Sequence, residues 1–513
     1  MPEKIPAKID YLKPLEDIPY PQVVKEKKEY KEGLKKKLSD IVGAGNVHDD
    51  AEMLAKYSRD KSLEAPRKPI FVVFPNNEEE VQRIVKFANE EKVPLIPVSS
   101  GVHFYGATIP LEGGIVVELS KWKKILKIDF RNRATRIQPG VTYGELQPEL
   151  EKNSLRALMP LLPHKDKSVV SAHLEGEPMT VTEFNYSEPL FTCEIVLPKG
   201  DILRTGSAAS APAEISHSDL VGPWGPGFDW NRLYCRSQGT LGIITWANVM
   251  AEPLPTVQKI FFTSSKDLDK LISFTYGIQR RWLGYECFIL NKVNLGAILS
   301  ENGAAGCSEL KKRLPLYTMI QCIAGTRRLP EEKVAWQEQD LLEEAQAQGV
   351  YPQVTITEAP HAKKFFDDNM RKPWPKEVYW KDIARGASAD IFFLTTLNRV
   401  PEFIKAMNEA AEGFEYPVSD IGVYIQPIEN GRAAHLEFNL PYDSNNAAEI
   451  ELASKIHLAA SEKLLNLGGV FTRAYGKWAY MVNNRNAISS KTAKTVKDFL
   501  DPNNIMNPGK LGF

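Results

Sequence analysis

An α+β protein of two domains is what this sequence predicts, on three observations. The chain has 513 residues, more than one hydrophobic core ordinarily serves. From Ile70 to about residue 255, short β-branched runs alternate with helical pattern and with turns marked by Gly or Pro. After Pro255 the texture shifts to longer helix-compatible stretches set between strands. Hydrophobic residues at 43% and charged residues at 25% match globular averages, which leaves disorder, collagen-like sequence and coiled coil without support.

Each element follows in order. An arm carrying Pro2, Pro6, Pro14, Pro19 and Pro21 precedes a charge-dense stretch, Lys25 to Lys37. There Tyr30, Leu34, Leu38 and Ile41 recur at helical spacing, which reads as a helix with one solvated face; a docking patch for a partner is the other reading. IFVVFP from Ile70 is a strand, and Asn76 or Asn77 caps a helix that aligns Val81, Ile84, Val85 and Ala88. PLIPVSSGVHFYGATIPLEGGIVVELSK is then strand, glycine-bearing turn and strand, the pattern of an α+β nucleotide-binding domain. TRIQPGVTYGELQPEL, CEIVLPKGDILRTG and GTLGIITWANVMAEPLP continue the strand pattern. A second domain is expected over 256–470, with helices in PEFIKAMNEAAEGF and NNAAEIELASKIHLAASEKLLNLGG. The tail from Phe471 to Phe513 reads as a helix stopped at Asp501-Pro502, then an irregular Asn/Pro/Gly segment.

Charge and hydropathy narrow the partners. Lys+Arg at 64 against Asp+Glu at 65 leaves a net charge of -1, without the basic excess that phosphate neutralisation needs, so nucleic acid is not expected. No apolar run approaches the roughly 18–20 residues of a membrane span, and MPEKIPAKID lacks the apolar core of a secretory signal. A cytoplasmic location is expected. Cys193, Cys235, Cys287, Cys307 and Cys322 are widely spaced and form no C-x-x-C pair, so reduced, buried thiols are expected.

Two turns can aim backbone N–H groups at an anion. In Ser99-Ser100-Gly101-Val102-His103-Phe104-Tyr105-Gly106 the small residues keep Cβ atoms out of the approach. In Ser237-Gln238-Gly239-Thr240-Leu241-Gly242-Ile243-Ile244-Thr245 a Gly-rich turn enters a β-branched strand. Each also reads as an ordinary strand-joining turn; together they could face one extended ligand. Neither is G-x-G-x-x-G opening a helix, and no G-x-x-x-x-G-K-[ST] occurs, so Rossmann and Walker chemistry are not supported.

Several motifs fall in a definite order: Pro97-Val98-Ser99-Ser100-Gly101, the FYGATIP stretch, Gly113-Gly114-Ile115-Val116-Val117-Glu118-Leu119-Ser120 and Gln138-Pro139-Gly140-Val141-Thr142-Tyr143. Gly222-Pro223-Trp224-Gly225-Pro226-Gly227-Phe228-Asp229, the SQGTLGI turn and the closing Leu500-Asp501-Pro502-Asn503-Asn504-Ile505-Met506-Asn507-Pro508-Gly509-Lys510 complete the series. Together they resemble the flavoprotein family of vanillyl-alcohol oxidase and p-cresol methylhydroxylase. The resemblance implies a split, two-subdomain FAD-binding domain of the p-cresol methylhydroxylase type over 1–255 with its N-terminal arm. A central α/β substrate, or cap, domain follows over 256–470, and 471–513 returns to the FAD domain. FAD would lie extended, its pyrophosphate on residues Ser99, Ser100, Gly101, Val102 and His103. Its adenine part would lie near Gly239, Thr240, Gly242, Ile243 and Ile244, and its isoalloxazine between the domains. Tyr105, His435, Arg473 and Asn507 are further cofactor contacts on the same likeness.

The family binds a para-substituted phenol as phenolate, takes hydride from its benzylic carbon and leaves a quinone methide that water can trap. A phenol has a pKa near 10, so the site must favour the anion. By resemblance Arg473 supplies the charge and Tyr105 a hydroxyl. The tyrosine that usually precedes the arginine is Thr472 here, a departure that Tyr475 could make good. Glu188 falls where the family places an acid near flavin N5. His435 begins an alternating run that puts it on one strand face with Glu437 and Asn439; on the family pattern it is the first candidate for covalent FAD attachment, and His103 the second. No metal is expected: the H-x-G-D-G-N-x-H signature of D-2-hydroxy-acid dehydrogenases is replaced by Gln426-Pro427-Ile428-Glu429-Asn430-Gly431. Oxidation of D-lactate or glycolate, with Arg473 holding the carboxylate, is the alternative activity. An FAD-carrying electron-transfer subunit of a larger complex is the alternative of another class. A small-molecule substrate, an electron-acceptor protein and a homo-oligomer are the expected partners.

Overall fold

The protein's structure is a computed structural model that describes residues 28–183, 189–210, 218–483 and 485–512. The proline-bearing arm and Glu188 lie outside the described residues. The fold is α+β, built on three sheets.

The first sheet holds β1 (Val47–His48), β2 (Phe71–Val73), β3 (Leu95–Val98) and β4 (Ile115–Glu118) in the order β1-β2-β4-β3. β2 and β3 both run parallel to β4, which the helix Glu78–Glu91 makes possible as a crossover. Asn77 caps that helix by accepting from the Glu80 N–H, and Val81, Ile84, Val85 and Ala88 are buried on one face. The charged N-terminal stretch is helical over Lys28–Val42, with Leu34, Leu38 and Val42 buried against this sheet. Tyr30 departs from the expected apolar stripe at 37% exposure, because its hydroxyl reaches out to the Glu91 carbonyl.

The second sheet comprises β5 (Ile125–Asp129), β6 (Ala134–Ile137), β7 (Leu155–Ala157), β8 (Leu190–Val196), β9 (Ile202–Arg204) and β10 (Ile243–Pro253). Its long β10 pairs antiparallel with β6, β7 and β8, so the turn at Ser237–Gly242 feeds directly into the sheet's spine.

The third sheet is wholly antiparallel: β11 (Val257–Ser265), β12 (Glu286–Asn291), β13 (Tyr317–Gly325), β14 (Ala387–Thr395), β15 (Gly422–Ile428) and β16 (Ala433–Tyr442), in the order β11-β13-β12-β15-β16-β14. Helices Leu268–Arg280, Pro330–Gln348, Val400–Glu412 and Ala447–Asn466 pack on one face, and Lys292–Leu299, Gly303–Arg313 and Ala362–Asn369 on the other. Period-2 alternation along β16 sends Leu436, Phe438 and Leu440 into the first of these cores. His435, Glu437 and Asn439 therefore share the opposite face, together with Tyr424 of β15.

The tail crosses back. Helix Ala487–Leu500 ends at Asp501, whose carboxylate accepts from the N–H groups of Ile505 and Met506 at 3.0 and 2.8 Å. Leu95 then donates to the Ile505 carbonyl at 2.7 Å and accepts from the Asn507 N–H at 2.8 Å, so the tail adds itself to the free edge of β3. All five cysteines are buried free thiols.

Burial pushes His103, His173, His435 and His457 down to about 4. An unfolded histidine titrates near 6.5. Unfolding therefore takes up protons between pH 6.5 and about 4, and stability must fall as pH drops through that window. His173 is the cleanest reporter, since its Nδ1 has no hydrogen-bond partner among the described residues. The expected result is a melting temperature that declines steadily from pH 6.5 towards 4, with a shallower decline in His173→Phe. An unchanged slope in that variant would show that His173 is already protonated in the fold.

Candidate active site

Two adjoining cavities lie where the sheets meet. The first is a groove between the turn after β3 and the turn before β10, lined by Pro97, Ser99, His103, Ser171, Gln238 and Gly239 among others. Ser99 and Ser171 share a hydroxyl–hydroxyl hydrogen bond of 2.5 Å across it. The N–H groups of Ser100, Gly101 and His103 have no backbone acceptor among the described residues, and a Cβ on Gly101 would meet no atom within 4 Å. N–H groups without backbone acceptors in a small-residue turn suit an anion.

The groove's opposite wall depends on left-handed backbone. Gly239 has φ +72°, and a Cβ there would sit 2.6 Å from Pro97 Cγ. Asn507 ties the two turns together, its Nδ2 donating to the carbonyls of Ala107 at 2.9 Å and Gln238 at 2.7 Å. The Asn507 and Gln238 side-chain oxygens are buried with no hydrogen-bond partner among the described residues, which leaves two acceptors for a bound group. Lys510 donates to the Gly106 carbonyl at 2.7 Å, and burial pushes its ammonium down to about 8. A dinucleotide with a diphosphate suits these donors and acceptors. Gly239→Ala pays both left-handed strain and the clash with Pro97, costs of about 1–3 kcal/mol. About tenfold less flavin per chain is expected, read from the absorbance ratio of the purified protein.

The second cavity is walled by Phe104, Tyr105, Tyr379, Trp380 and Tyr424 and carries the charges of Lys167, Glu177, Lys381, Glu437 and Arg473. Tyr105 and Tyr475 separate the cavities. Their rings stack 5.0 Å apart at 28°, Tyr475 lining the groove and Tyr105 the second cavity. Burial holds both phenols well above the usual range, so both are neutral donors. The Arg473 guanidinium is 3% exposed, lies 3.6 Å from the Phe392 ring centroid and 5.5 Å from that of Tyr105. Desolvated against aromatic faces, it is a strong site for a planar anion.

Ion pairs organise the walls. Lys167 links the cavities through Glu175 of the groove at 2.6 Å and Glu177 of the second cavity at 3.5 Å. Lys381 lies between Asp390 at 2.6 Å and Glu437 at 2.5 Å. Burial works against the Glu437 charge, but Lys381 and His435 beside it hold the carboxyl well below the usual range. Asp390 moves the other way, raised by burial.

The site thus gathers Ser99, His103, Tyr105, Gly239, Gly242, Ile244, Arg473, Tyr475 and Asn507 from the residues singled out in the sequence. Thr240 and Ile243 turn inward instead: Thr240 donates to the Ser237 carbonyl at 2.7 Å and Ile243 packs under the first sheet. Val102 is buried, and Ser100 caps its own turn through the Val102 carbonyl. His435 sits one hydrogen bond behind the second cavity, 3.3 Å from Glu437. His103 is in the groove wall, with Nε2 2.6 Å from the Ser100 carbonyl. Sequence reasoning missed Lys167, Glu177, Lys381 and Asp390; only the shared face of His435, Glu437 and Asn439 hinted at a polar wall.

Comparison with known proteins gives the chain's family and fold. Residues 69–206 match the FAD binding domain family and residues 320–511 match the C-terminal domain of FAD linked oxidases. The chain is 24% identical over 490 residues to a glycolate oxidase subunit of Bacillus subtilis, covering 93% of this chain and 96% of that protein. It is also 24% identical to a mitochondrial cytochrome-type D-lactate dehydrogenase of Arabidopsis thaliana, over 86% of this chain and 73% of that one. The flavoprotein subunit of the hydroxylating 4-cresol dehydrogenase of Pseudomonas putida is 28% identical over 52% of this chain and 51% of its own. Among solved structures, substrate-bound p-cresol methylhydroxylase superposes with a TM-score of 0.83 at 19% identity, over 95% of this chain and 98% of that one. A 4-ethylphenol oxidase from Gulosibacter chungangensis gives 0.78 at 18%, with the same coverage. The split FAD-binding architecture of p-cresol methylhydroxylase is therefore the fold, FAD is the cofactor, and the chain is an FAD-linked oxidoreductase.

Proposed function

We propose that the protein oxidises a para-substituted phenol, a 4-alkylphenol or 4-hydroxybenzyl alcohol, at its benzylic carbon, with water adding to the resulting quinone methide. FAD supplies the hydride-accepting oxidant when bound. The carrying observation is Arg473 beside Tyr105 in an aromatic cavity that adjoins the cofactor groove. A guanidinium that is never deprotonated, with a neutral phenol donor beside it, favours the substrate's phenolate over its phenol. The ring walls Phe104, Tyr379 and Tyr424 suit a flat aromatic substrate. Tyr475 supports the anion site indirectly, stacked behind Tyr105. Thr472 is not in the cavity wall, so the tyrosine that precedes the arginine in the resembled family has no counterpart at that position here.

A second reading has its own support. The glycolate oxidase subunit and the D-lactate dehydrogenase align over 93% and 86% of this chain, against 52% for the 4-cresol dehydrogenase subunit. In a D-2-hydroxy-acid oxidation Arg473 would grip the substrate carboxylate bidentately. Among the described residues no group of three His, Cys, Asp or Glu side chains is arranged to hold a metal ion, and the cation beside Glu437 is Lys381. Anaerobic bleaching of the flavin separates the readings. The phenol reading expects bleaching by 4-cresol or 4-hydroxybenzyl alcohol; bleaching by D-lactate or glycolate alone would replace it with the second.

A further inference from the structure

The substrate cavity contains an acceptor that the phenol chemistry does not use. Glu437, 4% exposed, stands in its wall with Lys381 and Tyr424. Its Oε1 accepts from Lys381 Nζ at 2.5 Å and from Asn439 Nδ2 at 2.7 Å, while Oε2 lies 3.3 Å from His435 Nε2. Asp390 grips the same lysine from the other side at 2.6 Å and is in turn fixed by Ser388 and Asn439, each at 2.7 Å. Asn439 closes the set by accepting from Asn294 at 2.7 Å. β14 and β16 bring this about, since their register sets Asp390 directly opposite Asn439. The carboxylate cannot rotate away without breaking several bonds.

A carboxylate offers about four lone-pair positions. Three donors occupy Glu437, on Oε1 twice and Oε2 once, so the carboxylate of this cavity-lining residue keeps room for a further donor. An acceptor in a cavity wall selects a ligand that carries a donor, just as Arg473 selects one that carries an anion. We propose that Glu437 accepts a hydrogen bond from a hydroxyl on the carbon that is oxidised, and that Lys381 is the positioning residue that holds this carboxylate in place. The inference rests on the phenol reading and narrows it, from alkylphenols to 4-hydroxybenzyl alcohols. A methyl group at that position leaves a desolvated carboxylate without its donor, which discriminates far more strongly than a missing methylene does. Against the cost of burial, Lys381 and His435 favour the charged form of Glu437, and a charged acceptor makes the stronger bond.

The test uses the FAD-loaded protein and the ratio of kcat/KM for 4-hydroxybenzyl alcohol to that for 4-cresol. A wild-type ratio of about tenfold or more is expected, falling by about tenfold to a hundredfold in Glu437→Gln, as for loss of a charge-assisted hydrogen bond. Lys381→Met should lower the same ratio and Lys381→Arg should restore part of it, a pattern that a purely structural role would not give. Flavin content and melting temperature check that each variant is folded; if Glu437→Gln is not, the two lysine variants decide. Equal efficiency with both phenols in the wild type, or an unchanged ratio in folded Glu437→Gln and Lys381→Met, overturns the inference alone. Bleaching by neither phenol overturns the phenol reading, and this inference with it.

Discussion

Arg473→Ala is expected to lose about three orders of magnitude in turnover of any phenol substrate while keeping its FAD. The guanidinium is almost fully buried against Phe392 and Tyr105, so it contributes its charge in a setting where water cannot replace it. A phenolate left in that cavity without its cation loses about 3–5 kcal/mol, which the rate equation turns into roughly a hundredfold to several thousandfold. FAD retention should hold, because the donors and acceptors of the groove belong to the turns at 99–103 and 237–242 and to Asn507. Arg473→Lys should recover only part of the loss, since an ammonium cannot reproduce the planar fork or the ring stacking. Steady-state kinetics with flavin content measured on the same samples checks both halves. A variant with wild-type turnover would remove Arg473 from the site.

Asp501→Ala is expected to lower the melting temperature more than any single change in the cofactor turns. Asp501 accepts from Lys497 at 2.5 Å as well as from the two backbone N–H groups of Ile505 and Met506, and both side chains are about 1% exposed. Lys497 in turn donates to the carbonyls of Thr240 and Met506, each at 2.9 Å. Removing the carboxylate leaves a buried ammonium without its counter-charge and two backbone donors without acceptors, a loss of about 3–5 kcal/mol. The same change loosens the carbonyl of Thr240 beside Gly239, so FAD affinity should fall with stability. Thermal unfolding followed with and without added FAD measures both, and a melting temperature within a degree of wild type would contradict the arrangement.

Local signals made much of this fold legible in the sequence. Asn77 before a stripe of apolar residues announced a capped helix, and alternation along Ala433–Tyr442 put His435, Glu437 and Asn439 on one face. The two glycine-bearing turns were legible as anion cradles because small residues there have few other uses. Lys381 and Asp390 were not legible, since neither has a periodic neighbour and they meet Glu437 only through the register of β14 on β16. Lys167 likewise looks like a loop lysine until the fold sets it between Glu175 and Glu177. Tyr475, which its place near Arg473 makes a candidate to replace the missing tyrosine at Thr472, stacks on Tyr105 and lines the groove. Chain position fixes neighbours in sequence, but only packing decides which side of a ring a residue stands on.

Asn507 is the stitch between the two turns, and Met506 lies along β3, some four hundred residues after the first turn was made. A nascent chain emerging from the ribosome therefore holds the rest of the groove long before it holds the piece that closes it. Coenzyme capture must wait until synthesis has passed this point, and a chain released early, however well its sheets have formed, leaves the translation machinery colourless.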